Sequence, residues 1–436
     1  MRIILPVFLA CLLLVPARSA AQSTYFPPLT GTAWDTLSPA SLGWCQHRID
    51  SLYAFLEQKN TKGFAVLKDG RLVLEKYFGT FTQDSLWYWA SAGKTLTAFM
   101  VGQAQEQGFL DIDDSTSQYL GAGWTSLTPQ QEDAITLRHQ LTMTTGLNDY
   151  AVGGADCTDP SCLEYEADPG TRWAYHNAPY TLLRDVLQNA TGQNANAWTN
   201  QQVGSRIGMS GLWLNLGWNN VYFSTVRGMA RYGHLLLNRG IWDTDTLLHD
   251  TAYFTAMTTP SQTLNPSYGY LTWLNGQSTY MLPGLQLQLP GPLNPNAPTD
   301  MFAALGKNDQ KIHVVPSEGL VVVRMGNSSD TTSLVPIVFD MELWSYINAL
   351  SCGLGVNEAD ANDTWQVLPV ADGFTVQCPL GETLLSYAVV DATGRTVAVG
   401  APQGGVVSTA ALRPGVHFMV LRTVNGTEHV HRFVRR

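Results

Sequence analysis

A serine and a lysine three residues apart, Ser91 and Lys94, stand where the aromatic run WYWA gives way to a helix-like pattern, SAGKTLTAFMVG. A serine hydroxyl is a weak nucleophile until a neighbouring base takes its proton, and a lysine can do so only when burial or adjacent charge depresses its pKa. Three apart on a helix, the two side chains share one face. At a helix start, the free backbone N–H groups also favour negative charge developing near the serine. Trp87, Tyr88 and Trp89 before the pair, with the apolar helix after it, would keep the amine dry. The spacing S-x-x-K arises by chance about once in a chain of this length, and an exposed helical lysine is the ordinary alternative. Lys94 is nevertheless the only lysine here with a serine three residues before it.

A second element adds to the first. TRWAYHNAPYTLLRDVLQNATG sets Tyr175 and Asn177 ahead of a helix-like run, offering a second proton carrier and an amide that could hold the lysine or a substrate carbonyl. Tyr346 and Asn348 repeat the spacing in a later helix, so order and context, not spacing, favour the earlier pair. His176 alternates with Tyr175 and Asn177 and would point away from them in an extended segment.

These groups need a scaffold. GFAVLKDGRLVLEKYFG (63–79) carries two apolar runs joined by Asp69-Gly70, a hairpin signal because both turn positions tolerate positive φ. Leu96, Phe99, Met100 and Ala104 recur at helical spacing before Gly108, predicting a buried helix that begins at or near Ser91. Helix-like segments and polar loops fill the middle of the chain. Strand character returns in YGYLTWLN, MFAALGKNDQKIHVVP and LVVVRMG, and PIVFDMELWSYINAL closes the region as a helix. Strands at both ends with helices between imply one sheet, completed by distant segments and covered by helices. Beyond about residue 352, short alternating runs separated by glycine turns predict a small all-β sandwich. There His429 and His431, two apart on a strand, are expected to face solvent.

The chain has 436 residues, 45% of them hydrophobic, enough for a large core and a smaller second domain. Charged residues make up 14% and the net charge is −10, which argues against nucleic acid as a partner. MRIILPVFLACLLLVPARSAAQS has the layout of a secretory signal peptide, with cleavage expected near Ala21 and a secreted or cell-surface product. No later stretch is long and apolar enough for a membrane span. Of the cysteines after that leader, Cys157 and Cys162 bracket a turn-like TDPS, and Cys352 could pair with Cys378. None has the paired Cys/His spacing of a zinc site, so neither a metal nor a cofactor is expected.

SAGK, ITLRHQLTMTTGLNDY, YHNAPYTLLRDVLQNATG and VVPSEGLVVVRMG, in that order over about residues 40 to 350, resemble the serine β-lactamase and penicillin-binding-protein superfamily. The closest likeness is to its class C β-lactamase-related branch, which also holds esterases, D,D-peptidases and amide hydrolases. The resemblance implies an α+β fold, an antiparallel sheet flanked by helices with an all-helical subdomain, over residues 22–351. It implies that Ser91 is the acylated nucleophile, Lys94 its proton acceptor, Tyr175 the proton shuttle, and Asn177 a partner of Lys94 and of substrate. The family's third motif, Lys-Thr-Gly or His-x-Gly, is absent, and the matching region reads AALGKNDQ. Gly306 and Lys307 align with it, so the N–H groups of Ser91 and Lys307 would form the oxyanion hole; the alternative for Lys307 is a solvated turn lysine. The altered motif removes the groups that usually bind a β-lactam carboxylate. TMTTG replaces a histidine-containing motif and is read as structural, while Leu147 to Asp168 is expected to border the pocket.

Residues 352–436 resemble the sorting domain of proteins exported by the type IX route of Bacteroidetes-like bacteria, through Asp391, Gly394, Pro414, Gly415, Phe418 and Phe433. The partners implied are a small-molecule or short-peptide substrate and, through this domain, the secretion machinery. The expected function is a secreted serine hydrolase acting on an ester or amide. A D,D-carboxypeptidase and a non-catalytic surface binding protein on the same fold are the alternatives.

Overall fold

The computed structural model describes residues 24–330, 337–352, 366–370, 373–378, 383–391, 395–402, 406–426 and 428–435. The leader expected at residues 1–21 lies outside them, as does Gly394. The chain divides into two compact units, Met1–Ser351 and Cys352–Arg436.

The first unit is an α+β structure built on one antiparallel sheet. Its strands are β1 (Thr61–Lys68), β2 (Arg71–Tyr77), β3 (Trp273–Leu274), β4 (Phe302–Gly306), β5 (Gln310–Val315) and β6 (Leu320–Gly326), in the order β2-β1-β6-β5-β4-β3. Asp69 and Gly70, at φ 49° and 83°, make the tight turn between β1 and β2. Strand periodicity then sorts side chains to two faces. Ala65, Leu67, Ile312, Val321 and Val323 point to one core, while Phe64, Val66, Leu320 and Val322 point to the other.

The second face is covered by α1 (Gln46–Gln58) and α5 (Ile337–Asn348), through Leu52, Phe55, Leu343 and Trp344. On the first face lie α2 (Gly93–Glu106), α3 (Asn177–Thr191) and α4 (Val226–Leu237), the last packed across β1, β5 and β6. Val226, Met229, Leu235 and Leu236 of α4 are fully or almost fully buried, and each such side chain contributes roughly 1.5–3 kcal/mol of transfer free energy. A small antiparallel sheet of Trp87–Tyr88, Asn219–Ser224 and Gly211–Leu216 flanks the start of α2. No helix among the described residues is long and apolar enough to cross a membrane.

The second unit carries β7 (Gln366–Val370), β8 (Gly373–Gln377), β9 (Leu384–Asp391), β10 (Thr396–Gly400), β11 (Val406–Ser408), β12 (Gly415–Thr423) and β13 (Glu428–Arg435). They form sheets of order β7-β8-β11 and β10-β9-β12-β13. Val376 and Val407 of the first sheet share one core with Val389, Met419, Leu421 and Phe433 of the second. His431 departs from the expected solvent-facing position: it is half-buried against the Phe374 ring, 5.4 Å between centroids, and burial lowers its pKa.

Cys157 and Cys162 form a disulfide. Cys45 and Cys352 are each disulfide-bonded while Cys378 is a thiol, so the Cys352–Cys378 pairing that the spacing allows is not made.

Candidate active site

The helix begins near Ser91, as expected. A 3₁₀ turn, Ala90–Ala92, carries the serine, and α2 starts two residues later at Gly93, leaving Lys94 in its first turn. Ala90 sits in the left-handed region at φ 49°, which for a non-glycine residue costs about 1–3 kcal/mol and must be held by its surroundings. Trp89 supplies that hold: it is fully buried, its backbone N–H donates to Tyr222 O at 2.8 Å, and its indole Nε1 donates to Ser224 Oγ at 2.8 Å.

Lys94 Nζ lies 3.0 Å from Ser91 Oγ and donates to Asn177 Oδ1 at 2.7 Å. It is 3% exposed, and burial brings its pKa from the ordinary lysine range down to about 7, against a smaller upward pull from Asp156. The rings that dry it come from elsewhere than the sequence suggested. Tyr175 and Tyr180 sit 4.8 and 4.2 Å from Nζ, whereas Trp87 lies under Lys62 and the Tyr88 hydroxyl accepts from Asn308. The Tyr175 hydroxyl lies close enough to Ser91 for that neighbour to pull its pKa down, but burial is the larger effect and raises it above the ordinary phenol range. The serine oxygen is therefore flanked by an amine that can be neutral near pH 7 and by a protonated phenol. That pairing can accept a proton on one side and deliver one on the other.

Tyr175 and Asn177 line the cavity with Ser91, and His176 between them does not. Burial lowers the His176 pKa to about 4, leaving the ring neutral at ordinary pH. Asn177 opens α3, so the phenol and the amide enter the site from one helix start.

The cavity has a volume of about 500 Å³. Gly306, at the end of β4, lies against the serine turn so closely that an added Cβ would stand 2.4 Å from Trp89 O and 3.0 Å from Ala92 N. Only glycine allows that approach. Lys307 follows it, exposed and lining the cavity. The tight turn after it, with Asn308 and Asp309 at φ 60° and 59°, is gripped by Arg324 of β6. Arg324 Nη1 donates to the carbonyls of Asn308 and Asp309 at 3.0 and 2.9 Å, and Nη2 donates to Lys59 O at 2.6 Å.

Residues 147–168 border the cavity as expected, through Asp149, Tyr150 and Ala155. Tyr150 donates its hydroxyl to Gly284 O at 2.5 Å, tying this loop to the one that brings Pro283 and Gly284 to the cavity. Asp149 is ion-paired with Arg172 at 2.5 Å. Sequence reasoning did not find Trp273, whose ring stacks 5.8 Å from Tyr175, nor Asp156, whose Oδ1 accepts from Asn177 Nδ2 at 2.6 Å. A carboxylate next to Cys157 was the available signal for Asp156; nothing local marks Trp273.

The Beta-lactamase family model matches residues 54–337. The chain is 24% identical over 307 residues to an uncharacterized protein of Alkalihalophilus pseudofirmus, covering 60% of this chain and 82% of that one. It is 26% identical over 148 residues to the beta-lactamase of Escherichia coli, covering 31% of this chain and 36% of that protein. Among solved structures, a Bacillus anthracis protein assigned as a 6-aminohexanoate-dimer hydrolase superposes with a TM-score of 0.56 at 17% identity, over 76% of this chain and 90% of its own. A penicillin-binding protein homologue from Caulobacter crescentus gives 0.53 at 15% identity, over 70% and 98%. Structural likeness at such low identity speaks for the fold alone. The sequence match runs from α1 to the first residue of α5 and takes in every strand of the main sheet, and on that ground the protein belongs to the beta-lactamase family.

Proposed function

We propose that the protein is a secreted serine hydrolase that cleaves an ester or amide through an acyl-enzyme on Ser91. The observation that carries this reading is Lys94, buried beside the Ser91 hydroxyl with a pKa brought down to about 7. Neutral Nζ takes the hydroxyl proton as Oγ bonds to the substrate carbonyl carbon. Tyr175 passes its proton to the leaving group as the tetrahedral adduct collapses and is reprotonated by the Lys94 cation; water then attacks the acyl carbon, its proton passes through Tyr175 to neutral Lys94, and Lys94 returns a proton to Ser91 Oγ as the acid leaves. The backbone N–H groups of Ser91 and Lys307 face the carbonyl oxygen, where charge develops. Asn177 commits one Nδ2 hydrogen to Asp156 and has the other for substrate. Residues 1–21 direct export, and the C-terminal β unit serves as the type IX sorting signal. Support for the latter is Asp391, which matches the sorting-domain pattern and whose Oδ1 accepts from Arg395 N–H at 3.1 Å.

Incubation with nitrophenyl esters, a chromogenic cephalosporin and a fluorophosphonate probe, followed by intact-mass measurement, tests the reading. A stable acyl or phosphonyl adduct on Ser91 is expected. Absence of both turnover and adduct, with ligand binding retained in Ser91→Ala, would instead identify a binding protein. A D,D-carboxypeptidase is the second reading, favoured by the exposed Lys307 amine at the cavity, which can receive a terminal carboxylate; release of D-alanine from a stem peptide distinguishes it.

A further inference from the structure

Asp156, Asn177, Lys94 and Ser91 form one chain of side-chain hydrogen bonds, 2.6, 2.7 and 3.0 Å long. The polarity of such a chain matters as much as its length. An amide can present either its oxygen or its nitrogen to a neighbour, whereas an ionised carboxylate can only accept. A carboxylate at Asp156 therefore draws Nδ2 of Asn177 to itself and turns Oδ1 toward Lys94. A neutral lysine amine has two N–H bonds and one lone pair. With one N–H engaged by Oδ1, the lone pair is available to the Ser91 hydroxyl. The reversed amide would donate into that lone pair and block it.

We propose that Asp156 is a positioning residue that sets the direction of this chain, so that Lys94 meets Ser91 as an acceptor and not as a donor. The proposal rests on the reading of Ser91 and Lys94 as the reacting pair. Asp156 is itself held by its flanks: Ala178 N–H donates to Ala155 O at 2.9 Å, and Cys157, the next residue, is disulfide-bonded to Cys162. Its charge also opposes the effect of burial on Lys94, supporting the cation formed when the proton arrives.

The other groups around the chain are poorly placed to replace it. Tyr175, just before α3, and Tyr180, on it, face Lys94 with pKa values raised by burial, and Tyr268 lies behind them in the same state. His176 is neutral above about pH 4, Asp149 is committed to Arg172, Arg184 acts on Tyr180, and Lys307 is exposed at the cavity.

The test compares kcat and KM across pH for the full chain, Asp156→Asn and Asp156→Glu, with fluorophosphonate labelling of Ser91 in each. Asp156→Asn should lower plateau kcat by about tenfold with KM within about twofold, and should move the acidic limb to lower pH. Asp156→Glu, which keeps the acceptor and the charge, should recover most of the plateau. An unchanged plateau in Asp156→Asn overturns the proposal, as does a shifted limb alone, which would leave Asp156 a distant charge. Equal losses in both variants with the limb in place, or loss of the folded circular dichroism spectrum in both, would mark the residue as structural and also overturn it. A parent protein that is not labelled at all refutes the underlying hydrolase reading, a distinct failure.

Discussion

Two lysines are buried in the first unit, on opposite sides of the main sheet, and their surroundings make them different chemical objects. Lys94 is 3% exposed among an amide, a hydroxyl and two phenol rings, with its nearest carboxylate acting through Asn177. Lys311, on β5, is fully buried against two carboxylates, Asp340 at 3.1 Å and Asp309 at 3.4 Å. Burial alone would raise the Asp340 pKa, but Lys311 and His313 hold it below the usual range. Burial without a directly bonded carboxylate brings a lysine toward neutrality; burial against two gives the ammonium group direct ion-pair partners. The first arrangement costs stability and leaves an amine that can accept a proton. The second secures α5 to β5 and, through Asp309, one side of the turn next to Lys307.

Substitutions can break or sharpen that contrast. The largest effect is expected at the pair proposed to react: Ser91→Ala should abolish acylation, and Lys94→Arg, which keeps the charge but cannot release a proton at ordinary pH, should lower kcat/KM by on the order of 10³-fold, measured with a nitrophenyl ester. An active Lys94→Arg would show that the cation, and not the base, matters there.

Lys311→Met should leave Asp340 and Asp309 buried without that cation and cost about 3–5 kcal/mol in urea unfolding. Lys94→Met should be neutral or stabilising near pH 7 while inactive. If the two methionine variants were equally destabilised, the distinction drawn between the two lysines would fall.

Tyr175→Phe removes the phenol but keeps the ring beside Lys94, and a loss of about 10²-fold in kcat is expected from pre-steady-state ester kinetics, with Ser91 still labelled. The smallest effect concerns pH. Because Lys94 must be neutral to accept a proton, kcat/KM should fall about tenfold per unit below its pKa of about 7 and level off above it. The linkage to stability has the same sign. A lysine whose folded pKa lies below its unfolded value binds fewer protons when folded, so its contribution to stability improves as pH rises from about 7 toward the unfolded lysine range. That slope should vanish in Lys94→Met; a limb far from pH 7 would assign the titration to another group.

Much of the scaffold is local enough to read directly. The Asp69-Gly70 turn, the apolar spacing of α2 and the return of strand character over β4 to β6 follow from residues within a turn or a strand of one another. Ser91 with Lys94, and Tyr175 with Asn177, are visible for the same reason, since each pair comes from a single segment. The 3₁₀ turn at Ser91 was not legible, because the positive φ at Ala90 is imposed by Trp89, whose partners Tyr222 and Ser224 lie more than a hundred residues away. The aromatic lining of Lys94 was placed on Trp87 to Trp89 and belongs to Tyr175 and Tyr180, since proximity in the chain says little about which rings a helix meets in the core.

The chain's own order of residues determined the candidate groups, Ser91 with Lys94 and Tyr175 with Asn177, and the elements that carry them, because hydrogen bonding and periodicity act over a few residues. Only the tertiary structure decided that Lys94 is dry, that Asp156 stands behind Asn177, that Gly306 touches the serine turn and that Lys311 has two carboxylates. Those facts depend on desolvation and on contacts between distant segments. A pKa is fixed by everything packed around a group, and local sequence specifies only a small part of that surrounding.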